Sequence, residues 1–168
     1  MHLNSFDYIV KVANDLVVEH NTRSATALAE ALDMIIVETP FQEQKGVYIS
    51  FKDRAHIFLN QDLSDEMRNI VILHEIGHHL LHREIASAFH ETTLFDVSNH
   101  NMEYEANLFA AQVMLPDKET VELIKEGYSI TEIAASMNTD ANLVALKATD
   151  LKRRGLALNI PDFKKNFL

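Results

Sequence analysis

The run His74-Glu75-Ile76-Gly77-His78 carries residue types suited to metal chemistry, at a spacing that a helix can use. As helix it places His74 and His78 on one face, about 6 Å apart along the axis. Two imidazoles so placed can bind a single zinc ion, each by a bond of about 2 Å. Glu75 is one residue past the first histidine, rotated off the ligand line yet close to the metal. That is where a general base acting on zinc-bound water belongs. The expected chemistry is metal-assisted hydrolysis of a peptide bond.

Two nearby histidines do not extend the ligand set. His82 lies about 12 Å along the axis from His74, too far for one straight helix to bring both to the same ion. His79 faces away from the zinc line. The longer metzincin pattern would need Gly at position 81 and His at position 84, where this chain has Leu81 and Glu84. The third ligand is therefore sought downstream, where residues 101–116 read as a helix stopped by Pro116. Glu103, Ala106, Asn107, Ala110 and Met114 share one face of it. A carboxylate on so small and apolar a face needs an opposing cation, because an unpaired buried acid is costly. Zinc would supply that charge, which makes Glu103 the candidate third ligand. Asn107, one turn later, can accept a hydrogen bond from the far ring nitrogen of a histidine ligand. Glu105 is expected to point elsewhere, into solvent.

The elements that must hold these groups follow from periodicity. Phe6 to His20 has the apolar spacing of an amphipathic helix, and Ser24 or Thr26 caps a short second helix through Leu32. Met34 to Glu38 reads as a strand ended by Pro40. Val47 to Phe51 and His56 to Leu59 read as a hairpin, so the expected sheet is small and antiparallel. Ser64 caps a helix running to about His82, with Ile70, Leu73, His74, Gly77, His78 and Leu81 on its inward face. Gly77 is expected to keep the backbone open beside the metal. An exposed sheet edge could bind an extended peptide by strand addition.

The bulk composition agrees with a catalytic site. The 168 residues suit one domain with a small appendage, and the absence of cysteine leaves nitrogen and oxygen as the ligands of any zinc. The formal net charge of −10 disfavours non-specific binding to nucleic acid. The start of the chain has no signal-peptide pattern and no apolar run spans a bilayer, so the expected compartment is the cytoplasm and no membrane partner is expected. Nine histidines is a high count, and six of them lie between His74 and His100.

Taken together, His74-Glu75-Ile76-Gly77-His78, Glu103-x-Glu105-Ala106-Asn107-x-Phe109-Ala110-Ala111 and Met114-Leu115-Pro116 resemble the ImmA/IrrE family of zinc metallopeptidases. The resemblance runs from about Ala25 to Pro116. It implies His74, His78 and Glu103 as zinc ligands and Glu75 as catalytic base. It also implies a cytoplasmic protein of bacteria or their mobile elements. Such a protein is expected to cleave a partner repressor of the helix-turn-helix class and relieve its transcriptional repression. The family's helper acid falls at Asn107 in this chain. The implied fold is α+β: a mostly helical, zincin-like core over residues 1–116 with the small antiparallel sheet.

Several positions stay open at this level. A second oxyanion donor is expected from among Tyr48, His79, His82, His90, His100 and Tyr104. The connection from Arg83 to His100 is long enough to be a lid or a packed excursion. Residues 117–168 read as a C-terminal helical region, with Asp117 capping one helix and a capping box at Ser129–Glu132. Helices through Ser136 and from Asp140 to Arg154 then have helix-turn-helix spacing. Its basic residues Lys147, Lys152, Arg153, Arg154, Lys164 and Lys165 make DNA binding the alternative function, and a non-catalytic regulator a third.

Overall fold

The computed structural model of the chain describes residues 5–51, 54–82 and 100–158, with the side chain of His100 outside that set. Ile9, Val10, Ala13 and Leu16 bury one stripe of α1 (Ser5–His20). The Ser24 side chain accepts from the Ala27 N–H and starts α2 (Ala25–Ala31), which buries Ala25, Leu28 and Ala29. Three strands follow: β1 (Ile35–Thr39), β2 (Gly46–Phe51) and β3 (Arg54–Asn60).

The strand order is β1-β3-β2. The β2–β3 hairpin is antiparallel as expected, but β1 pairs with β3 in parallel, so the sheet is mixed. The physical reason is that β2 itself provides the return run. Residues 40–45 carry the chain across to the outer edge, β2 runs back, and β3 comes up the centre in the direction of β1. Asn60 holds that crossing by donating to the carbonyls of Phe41 and Gln44 at 3.3 and 2.9 Å. Ala55, Ile57 and Leu59 alternate on the inward face of β3, as a strand covered on one side requires.

Helix α3 (Asp65–Leu81) lies against that sheet, capped by Ser64, with Asp65 and Glu66 in its first turn favouring the helix dipole. It is buried on more sides than a single inward face predicts: Ile70, Val71, Ile72, Leu73, Glu75, Ile76 and Gly77 are all covered. The sheet covers one side, and α4 (His100–Met114) covers the other. Gly77 is the seam between the two helices. A Cβ there would sit 3.1 Å from Ala106 Cα and 3.2 Å from the Phe109 ring. Its lack of a side chain thus serves close helix packing, not backbone access at the metal site.

After Pro116 come α5 (Asp117–Lys125), α6 (Ile130–Ser136) and α7 (Ala141–Arg153). The Ser129–Glu132 capping box is present, whereas Asp117 is the first residue of its helix and makes no cap. Asp117 instead bonds Lys147 and Arg154. The apolar core continues from α1 through α7 without a break at Pro116. Among the described residues no helix is long and apolar enough to cross a membrane.

Candidate metal centre

Positions 74, 78 and 82 repeat every four residues and form one stripe along α3; positions 75 and 79 form the next. The first stripe faces α4 and the second faces β2. Contacts His74–Asn107 and His78–Glu103 show that α3 and α4 run in opposite directions across the seam.

The structure brings His74, His78 and Glu103 together. One ligand atom from each lies within 4.8 Å of the others. The Nε2 atoms of His74 and His78 are 3.0 Å apart. Each also lies 3.2 Å from a different oxygen of the Glu103 carboxylate. Two imidazole nitrogens and a carboxylate, all aimed at one point, are a donor set that fits a divalent cation of the zinc type. The His74 Nδ1–H donates to Asn107 Oδ1 at 2.9 Å, which leaves Nε2 free to bind metal. Glu103 is not enclosed on an apolar face as expected: its side chain is 51% exposed, against 17% and 16% for the histidines. The centre therefore opens to solvent on the carboxylate side.

Electrostatics follow from this packing. Burial works to lower the His74 pKa, but the hydrogen bond to Glu103 and the nearby Glu75 charge outweigh it and the net direction is up. Hydrogen bonds from His74 and His78 pull Glu103 well below the usual carboxylate range. Glu75 goes the other way. It is buried, and burial raises its pKa against the pull of His74, His78 and a hydrogen bond from the Tyr48 backbone.

The remaining candidates separate by position. The Tyr48 hydroxyl and His79 Nδ1 are 2.8 Å apart, on the side of α3 that carries Glu75. Tyr104 turns its ring edge to Phe6 of α1, at 5.8 Å between centroids. His82 is 5% exposed and bonded to Glu105 at 2.9 Å, so Glu105 is not free in solvent as expected. His90, the His100 side chain and the proposed lid over residues 83–99 lie outside the described residues. The His82–Glu105 pair was missed because spacing was weighed only for direct ligands. Its signal was the third step of the same four-residue repeat.

Three of the C-terminal cations have acidic partners. Lys147 is 1% exposed and pairs with Asp117, Arg153 pairs with Asp7 and Asp150, and Arg154 pairs with Asp117. Leu143 through Ala148 of α7 are buried without interruption.

The chain is similar to known proteins. The model of the IrrE N-terminal-like domain family, Peptidase M78, matches residues 29–149. The chain is 29% identical over 134 residues to "Uncharacterized immunity region protein 2" of Bacillus phage phi105, covering 79% of this chain and 84% of that protein. It is 26% identical over 136 residues to "Metallopeptidase ImmA" of Bacillus subtilis (strain 168), covering 79% of each chain. The family and the second relative support a function of metallopeptidase type.

Proposed function

This chain belongs to the Peptidase M78 family of IrrE N-terminal-like domains, and on that premise we propose that it is a zinc-dependent endopeptidase. The observation that carries the reading is the convergence of His74, His78 and Glu103 beside a buried Glu75. His74, His78 and Glu103 would hold the ion. When bound, zinc supplies a Lewis acid that activates water and polarises the peptide carbonyl.

The chain's own groups do the rest. Glu75 accepts a proton on its carboxylate and returns it to the leaving amine, and a pKa raised by burial brings that exchange closer to neutral pH. Asn107 orients His74. The first residue of β2 lies against α3: a Cβ on Gly46 would approach Glu75 Oε1 to 3.2 Å. The Tyr48 hydroxyl, steadied by His79, is the candidate second oxyanion donor on that side.

The substrate we propose is a cytoplasmic partner repressor of the helix-turn-helix class, whose cleavage relieves repression. Direct DNA binding is less well supported, because Lys147, Arg153 and Arg154 are held in ion pairs and leave Lys152 as the other described basic residue of that group. The test has two stages. Metal analysis of purified, reconstituted protein should find near one zinc per chain, and none would end the proposal. Co-expression with the candidate repressor should then yield cleavage that Glu75→Gln abolishes while zinc is retained. An intact repressor beside a zinc-loaded protein would remove the proposed substrate and leave the metal centre standing.

A further inference from the structure

Resting on the reading of His74, His78 and Glu103 as a metal centre, we propose that His82 and Glu105 are positioning residues. They hold the His78 imidazole in the one tautomer that can bind the ion.

Three contacts carry this. His78 Nδ1 faces His82 Nδ1 at 3.2 Å. His82 Nε2 faces Glu105 Oε2 at 2.9 Å. The Ser5 hydroxyl closes the chain by donating to Glu105 Oε1 at 2.7 Å. A neutral imidazole has one N–H and one lone pair, so each contact restricts the next. With its Nε2 aimed at the ion, His78 carries its proton on Nδ1 and donates to His82 Nδ1. His82 then carries its proton on Nε2 and donates to the carboxylate. Every donor meets an acceptor.

The reverse assignment fails at both ends. If His82 donated from Nδ1, the His78 proton would move to Nε2 and block ligation. The bare His82 Nε2 would then confront the lone pairs of Glu105. The carboxylate thus selects the ligating form of His78 from two hydrogen bonds away. His82 is well placed for this role: it ends α3, its N–H bonds the His78 carbonyl at 3.0 Å, and its ring is buried. The two ligands are supported differently. His74 leans on a neutral amide, whereas His78 leans on an anion through a second ring, which also strengthens its electron donation to a metal.

The test is Zn²⁺ affinity of the full chain, measured by competition with a chromogenic chelator at neutral pH. His82→Phe fills the space but accepts no hydrogen bond, and should raise the Kd about 10- to 100-fold. Glu105→Gln still offers an oxygen to His82 and should raise it by a smaller factor. In the zinc-loaded protein, the His78 Nδ1–H resonance should be protected from exchange in the wild type and exposed in His82→Phe. A purely structural role would lower thermal stability without moving affinity or that resonance. Should His82→Phe not fold, Glu105→Ala carries the same comparison. Variants that bind Zn²⁺ within twofold of a binding wild type overturn the relay alone. A wild type that binds no Zn²⁺ overturns the metal centre and the relay together.

Discussion

Near its start, α4 brings Glu103, Glu105 and Asn107 against His74 and His78 of α3 and His82 at its C-cap. Near its end, the same helix sets a buried Gln112 between Lys147 and Asp150 of α7. Both clusters are polar and packed, but their charges are balanced differently. Around Gln112 the acids Asp7, Asp117 and Asp150 pair with the cations Lys147, Arg153 and Arg154, and Arg23 donates to the Gln112 carbonyl at 3.2 Å. Around Glu103 there are again three acids, with Glu75 and Glu105, yet their ion-pair partners among the described residues are histidines alone. The second cluster supplies its own cationic counter-charge. The first pairs its acids with histidines alone, a donor set that fits a divalent cation. Burial of polar groups is common to both, so the kind of counter-charge is what distinguishes the candidate site.

The sharpest way to break that contrast is to remove Glu103. Glu103→Ala should weaken Zn²⁺ binding by more than about 1,000-fold, a loss of about 4 kcal/mol. Its effect on metal-free stability should stay under about 1 kcal/mol, because the side chain is half exposed. Chelator competition and urea melts of the same sample measure both. Lys147→Met should do the converse. Removing a buried cation leaves Asp117 and Gln112 short of a partner, and stability should fall by about 3 kcal/mol with Zn²⁺ affinity unchanged. Equal losses of affinity in both variants would erase the distinction.

Gly77→Ala comes next, with an expected loss of about 2 kcal/mol as the added methyl pushes α4 away. Because the same seam spaces the ligands, Zn²⁺ affinity should fall with it, as parallel melts and titrations would show.

The smallest effects are in pH dependence, where the two regions should have opposite signs. Glu75 has its folded pKa raised above 4.5, so its contribution is present below that value and lost as pH rises through the folded one. Glu75→Gln should remove that decline and stabilise the metal-free protein near neutrality by about 1 kcal/mol. Burial works to raise Asp117 too, but Arg154 and Lys147 overcome it and bring its pKa down to about 2. Its contribution is present above 3.8 and lost as pH falls toward about 2. Asp117→Asn should flatten that acid limb in a stability–pH profile.

Local spacing carried much of the site. The closeness of His74 and His78 follows from helical geometry, and Glu103, an acid among Ala106 and Ala110, lies beside them in the candidate cluster. What escaped was set by partners distant in sequence. The parallel β1–β3 pairing depends on strand order, which residues 35–39 do not encode by themselves. Glu105 looked solvated because nothing local reveals that the end of α3 reaches it. Lys147 is grouped by composition with the basic residues at the end of the chain. Yet it stands four residues from both Leu143 and Leu151 on a buried stripe, a pattern that periodicity could have exposed.

The seam at Gly77 also bears on how the centre can vary. Ligand distances here are inherited from main-chain contact between two helices, since Ala106 Cα itself is among the nearest atoms to that position. A gauge built from backbone has few settings. Surface residues and connecting segments can change freely around it, whereas a site resized for a different ion would require the helices themselves to be respaced.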